Sequence, residues 1–169
     1  MNISIDAIDV KLLEAMQDDA SQSNQALAAR VHISPPTCLR RIKRLRDAGL
    51  IEREIAILHA DKLADILGHG LTALVEITLD RQGTEQQEVF EARVVLDGAV
   101  QQCYRVSPGP DFILVVHVRD MPAYLALAQR LFTSDANVRN VKAFFSVKRS
   151  KFGARVPLPR APVNPTAAR

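Results

Sequence analysis

Five cations, Arg40, Arg41, Lys43, Arg44 and Arg46, fall within one short run and are opposed there only by Asp47. On a helix, such a set neutralises phosphates, and a guanidinium that reaches a base can offer paired donors to the acceptor edge of guanine. The residues around the run specify that helix. Ser34 is a preferred N-cap, and Pro35 fits the first helical position, where a missing amide costs nothing. Leu39, Ile42 and Leu45 recur as an apolar stripe, and Gly49 suits the left-handed position that ends a helix. Arg40, Arg41 and Arg44 lie away from the stripe. With Ser34, Pro36 and Thr37 at the leading end, they are the residues expected to meet a DNA groove. Taken alone, the run reads more readily as a solvated basic face. The upstream segment decides between the two: Ser23 to Val31 reads as a short helix with Leu27, Ala28 and Val31 inward. Two short helices joined by the tight turn Val31-His32-Ile33-Ser34 make a helix-turn-helix, which lays its second helix in the major groove.

Further elements must hold this pair. Ile5, Ile8, Leu12 and Ala15 recur at helical spacing, with Asp6 and Asp9 near the start where the helix dipole favours acid, so a first helix ends near Asp18. Leu50 to Leu58 reads as a strand leading away, and residues 59–70 as a connector broken by Gly68 and Gly70. From Leu71 the period becomes two: Leu71, Ala73, Val75, Ile77 and Leu79 share one face of a strand. Thr84 with Gln87 reads as a capping box opening a helix that runs through Val89, Arg93 and Leu96 to Gly98. Strands follow over 100–106 and 112–118, separated by the turn Ser107-Pro108-Gly109-Pro110-Asp111. Asp120 caps a helix carrying Tyr124, Ala128 and Leu131 inward, and 138–147 is the last strand.

The order strand, helix, strand, strand, helix, strand is the ferredoxin-like motif. The class is therefore α+β: an N-terminal three-helix helix-turn-helix domain (1–58), a connector (59–70), a ferredoxin-like βαββαβ domain (71–151) and a flexible tail (152–169). If Leu71, Phe112 and Val141 face the helices, alternation sends Leu74, Ile113, Val115 and Phe144 to the uncovered face. An apolar face of that kind points to an interface, with a two-fold dimer as the simplest closure.

Composition sets bounds on partners. The chain has 169 residues, is 47% hydrophobic and carries a net charge of +3. No acid follows Asp135, while eight basic residues do; the remainder, with 14 basic against 19 acidic residues, is net −5. The basic surfaces are thus local. Cys38 and Cys103 give no disulfide framework or zinc spacing, and no metal or cofactor is expected. The first residues lack a secretory signal and no apolar run is long enough to span a bilayer, so a soluble cytoplasmic protein is expected. An enzyme on this scaffold is disfavoured because His32, His59, His69 and His117 are scattered and no phosphate-cradling glycine loop exists. An RNA-binding module of the same strand order would display stacking aromatics on its sheet, where only Phe144 is evident.

Ile8-Asp9 with Leu12-Leu13, Leu27-Ala28, Ile33-Ser34-Pro35, Cys38 to Ile42, Arg44-Leu45 and Gly49-Leu50-Ile51 resemble the N-terminal half of the Lrp/AsnC (leucine-responsive, feast/famine) transcriptional regulators. Val75 to Leu79, Cys103 to Ser107, Asp111-Phe112 and Met121 to Tyr124 resemble the same family's effector domain, so the likeness covers roughly residues 5–150. It implies a sequence-specific regulator that binds double-stranded DNA and responds to an amino acid or related small metabolite. It further implies a homodimer able to assemble to a tetramer or octamer. Two positions depart from the family's pattern. His32 stands where glycine is common in the helix-helix turn, and histidine tolerates the left-handed region better than most residues. Pro108 stands where the effector loop commonly has glycine, and it has no amide to offer a ligand.

An amino-acid site needs an acceptor for the ammonium group and amide donors for the carboxylate. Asp111 is the carboxylate expected to serve, with the amides of Gly109 and Asp111 as donors and Met121 and Phe144 as apolar walls. The competing reading is that Asp111 only fixes the turn through its side chain.

Overall fold

The computed structural model describes residues 4–68 and 70–159. It divides into two compact units: residues up to Ile57 together with the segment from Phe152, and Leu58–Lys151.

In the first unit three helices, α1 (Ala7–Asp18), α2 (Asn24–Arg30) and α3 (Pro35–Asp47), enclose Leu12, Ala15, Met16, Leu27, Ala28, Val31, Cys38 and Ile42. Asp6 caps α1, its carboxylate accepting from the amides of Ile8 and Asp9, while the Asp9 carboxylate accepts from the Asp6 amide at 3.0 Å. The inward stripe of α3 is Cys38, Ile42 and Leu45; Leu39, expected inside, is 58% exposed. The reason is geometric. A repeat of three falls short of a 3.6-residue turn and drifts around the helix, whereas steps of four and three return to one face. At its C-terminus the Gly49 amide bonds the Arg46 carbonyl at 2.8 Å and the Leu50 amide the Leu45 carbonyl at 3.0 Å. With Gly49 at φ 71°, this is a Schellman ending.

Leu50 to Leu58 is not a strand: it runs without regular structure, and no other described segment bonds to it as a ladder partner. Most of the connector is instead a helix, α4 (Ala60–Leu67), capped by the His59 ring and ended by Gly68 at φ 68°. The described part of the tail also differs from a free end, because Val156 bonds to Gln17 on α1.

The second unit has strands β1 (Leu71–Leu79), β2 (Val100–Arg105), β3 (Phe112–Val118) and β4 (Val138–Phe145), in the antiparallel order β2-β3-β1-β4. Helices α5 (Thr84–Val94) and α6 (Met121–Ala128), the latter continued by a π-helical turn at Gln129–Thr133, cover one face. Phe90, Val94, Leu127, Leu131 and Phe132 pack there on Ala73, Val75, Ile77, Leu79, Phe112, Leu114 and Val116. Each large side chain so buried contributes roughly 1.5–3 kcal/mol. The expected capping box is absent: Gly83 is the N-cap of α5, Thr84 is its first residue, and the Gln87 side chain reaches Asp111 instead. The helix ends at Val94, before Leu96, which is exposed. No described helix is long and apolar enough to cross a membrane.

Three paired carboxylates make the fold sensitive to acid. Burial pushes Asp6 up, but the Asp9 amide and the Arg41 guanidinium outweigh it and hold the carboxyl below 3.8. Arg30 holds Asp18, and Arg130 holds Asp97, below the same value. Groups lowered on folding take up protons first in the unfolded chain, so their stabilisation is complete above about pH 5 and is lost as pH falls through 3.8 and below. Urea midpoints measured from about pH 6 to about pH 2.5 should decline most steeply below about pH 4. A flat profile there would mean these pairs do not form.

Candidate nucleic-acid interface and effector loop

The helix-turn-helix corner is built by local bonds. The Ile33 amide bonds the Ala28 carbonyl at 3.0 Å, and His32 takes φ 58°, the left-handed geometry the turn requires. Asn24 at the start of α2 donates to the Pro35 carbonyl at 2.8 Å, joining the leading ends of α2 and α3. Ser34 is the N-cap of α3 with an extended backbone, yet its hydroxyl pairs with the Thr37 hydroxyl at 2.8 Å rather than with an amide. Ser34, Pro35 and Pro36 are exposed and Thr37 half-buried, so the leading end of α3 stands in the open.

The basic residues of α3 divide into two sets. Arg41 Nη1 donates to Asp6 at 2.7 Å and to Asp9 at 2.9 Å, and Arg44 donates to the other oxygen of Asp9. Asp9 is fully buried, and its carboxylate is met by these two guanidiniums and the Asp6 amide. The two carboxylates in turn push the Arg41 guanidinium up. Arg46 is held by Glu54. Arg40 and Lys43 have no acidic partner among the described residues; they lie on one helix face with Pro36 and Leu39, and both are exposed. Arg41 and Arg44, expected at the groove, are therefore positioned by α1. Asp9 was legible only as a helix-dipole residue, although its spacing with Leu12 and Met16 places it on the inward face.

The residues expected to form one effector pocket are not brought together. The register pairs Phe112 with Ile77 at one end of β1, and Leu74 with Phe144 and Leu71 with Val118 toward the other. At about 3.4 Å per residue, the start of β3 is on the order of 20 Å from Met121, which follows its far end. Asp111 is buried, and its carboxylate is filled from within. Oδ2 accepts from the Leu79 amide at 2.7 Å and from Gln82 at 3.2 Å, and Oδ1 from Gln87 at 3.4 Å. Its amide bonds the Ile77 carbonyl at 2.8 Å. Both groups are thus engaged within the fold, and Asp111 fixes the loop. Ser107, Pro108 and Gly109 stay exposed at the tip, with Gly109 at φ 125°.

Replacing Asp111 by Ala strands the buried Leu79 amide and is expected to remove about 1–3 kcal/mol from the second unit. Thermal unfolding of the variant checks this; an unchanged midpoint would mean that water replaces the carboxylate.

The uncovered face of the sheet carries Leu74 and Phe144, which are exposed, with Ile113 and Val115 half-buried. Tyr104, opposite Ile113 on β2, belongs to it as well and is 52% exposed. Alternation along β2 would have located it.

Comparison with known proteins agrees with both halves. Residues 5–52 match the winged helix-turn-helix DNA-binding family, and residues 72–156 match the Lrp/AsnC ligand binding domain. The leucine-responsive regulatory protein of Rhizobium meliloti is 31% identical over 156 residues, spanning 92% of this chain and 97% of that one. The transcriptional activator DecR of Escherichia coli K12 is 32% identical over 154 residues, 91% of this chain and 99% of its own. Among solved structures, an AsnC family regulator from Agrobacterium tumefaciens superposes with a TM-score of 0.78 at 29% identity, covering 90% of this chain and 97% of the other. A transcriptional regulator from Neisseria meningitidis, in complex with L-Met, gives 0.78 at 28% identity, covering 91% and 97%. A basic helix-turn-helix, a βαββαβ unit and likeness over nine-tenths of the length converge on one assignment: the chain belongs to the Lrp/AsnC family of DNA-binding transcriptional regulators.

Proposed function

We propose that this member of the family acts in the cytoplasm as a two-fold dimer. Each copy presents the exposed face of α3 to one half-site of duplex DNA, and an amino acid or related metabolite on the second unit sets how firmly the DNA is held. The observation that carries the DNA reading is the division of α3. Arg41 and Arg44 are tied to Asp9, and Arg40 and Lys43, with Pro36 and Thr37 ahead of them, form the surface left for the groove. Arg40 is assigned to a base edge and Lys43 to phosphate, with Ser34 and Thr37 at the backbone near the start of the helix.

The L-Met held by the Neisseria regulator and the leucine in the names of other relatives support an amino acid as effector class. The exposed Ser107–Gly109 tip, with the Gly109 amide as donor, is the part of the loop assigned to it; Asp111 shapes the loop from below. Met121 and Phe144 lie toward the other end of β1 and are assigned to assembly, Phe144 with Leu74 and Tyr104 facing a second copy. Further association to a tetramer or octamer would place several effector loops in one particle.

The test is selection of bound fragments from random duplex DNA, followed by gel shifts with each common amino acid. Enriched half-sites about one helical turn apart, and one amino acid that shifts affinity, are expected. No enrichment would sink the α3 assignment; enrichment without any amino-acid effect would sink the effector assignment alone.

A further inference from the structure

The first unit contains a segment from the far end of the sequence. The Val156 amide donates to Gln17 Oε1 at 2.6 Å, and Gln17 Nε2 donates to the Val156 carbonyl at 3.1 Å. A single side-chain amide thus supplies both an acceptor and a donor to one residue's backbone, as a neighbouring strand would. Beside it Arg155 pairs with Asp18, whose carboxylate also takes Arg30 at the end of α2. Arg155 borders a hollow of about 190 Å³ together with Lys11, Glu14, Asp18, Arg30 and Val31. These contacts are polar, and they bridge the C-terminal ends of α1 and α2.

We infer that the α1–α2 face is a docking surface for the chain's own Arg155–Val156 segment, which completes the DNA-binding unit as a strap. Gln17 reads the backbone of the segment and Asp18 its arginine. The chain leaves this unit at Ile57 and rejoins it at Phe152, so the unit is held covalently at two points and not at one. The three polar contacts named here are exposed and individually weak, and they are set against the ordering of several residues, which suits a strap that docks reversibly.

Hydrogen exchange at the Val156 amide of the full-length protein tests the docking directly. About tenfold slower exchange than in a free peptide of residues 150–159 is expected, lost in Gln17→Ala and reduced in Arg155→Ala. Truncation after Lys151 should lower the melting point of the helix-turn-helix unit by about 5 °C. An unprotected Val156 amide in the wild type, protection that survives Gln17→Ala, or a truncation that leaves melting unchanged would each overturn the strap. A mixture of the truncated chain with the Gln17→Ala chain tests whether docking is within one copy. Val156 of the Gln17→Ala chain should remain unprotected, and restored protection would show exchange between copies and overturn the intrachain assignment.

Discussion

Replacing Asp9 by Ala is expected to destabilise the helix-turn-helix unit by about 3 kcal/mol. Asp9 is fully buried and receives two guanidiniums and one amide, so its removal takes an acceptor from three donors at once, of which Arg41 keeps its second partner, Asp6. Breaking a buried ion pair from one side costs roughly 3–5 kcal/mol, and the lower end applies because Arg44 is 43% exposed and can turn to water. The second half of the expectation concerns function. With α1 fastened to α3 through Arg41 and the capping Asp6 but no longer through Asp9, the angle of the DNA-facing helix is set more loosely. Specific affinity should fall even though the variant carries one more positive charge, while non-specific affinity should rise. A cycle with Arg41→Met separates the causes: if the cost lies in the stranded cation, the double variant recovers much of the missing stability. Urea unfolding and gel shifts on specific and random DNA supply the readouts. Stability within about 0.5 kcal/mol of wild type would show that Asp9 is dispensable.

Arg40→Ala and Lys43→Ala should act on DNA and leave the fold alone, because both side chains reach solvent and neither has an acidic partner among the described residues. A guanidinium reading guanine contributes about 1–3 kcal/mol of discrimination, so Arg40→Ala should weaken the preferred site by roughly 5- to 150-fold and relax one base position. Lys43→Ala should weaken all sequences alike and make the slope of log affinity against log salt shallower by about 0.9 for the phosphate that the lysine no longer neutralises. Arg44→Ala is the contrast: it should show itself mainly in unfolding, since its partner is Asp9. If Arg40→Ala and Lys43→Ala both bind the selected operator like wild type, another surface meets the groove.

What was legible in the sequence was what neighbours along the chain decide. Ser34 and Pro35 opened α3, Gly49 closed it, and alternation from Leu71 to Leu79 defined the central strand and its inward face. The ferredoxin-like order followed from the succession of such local signals. What remained hidden depends on partners distant in sequence. Arg41 and Arg44 are distinguished from Arg40 by Asp9 on another helix and, for Arg41, by the Asp6 that caps that helix. Asp111 looked available because the amide that fills it belongs to Leu79, on a strand whose register no local pattern fixes. The span around Ile55 and Ile57 has a strand's composition without a described ladder partner, and composition alone does not make a strand. Gly83 displaced Thr84 as the cap of α5 by a single residue, a boundary that side-chain preference alone does not resolve.

The bonds between Gln17 and Val156 join residues 139 positions apart. A ribosome makes the three helices first, and at roughly 5–20 residues per second the segment that straps them is added many seconds later. Until then the nascent DNA-binding unit exists without its strap, while the intervening strands and helices assemble their own core. The last bonds of the first unit to form thus close a loop that takes in the whole second unit. A nascent chain that ends before Arg155 has the helices of the DNA-binding unit without the segment that fastens α1 to α2 from outside.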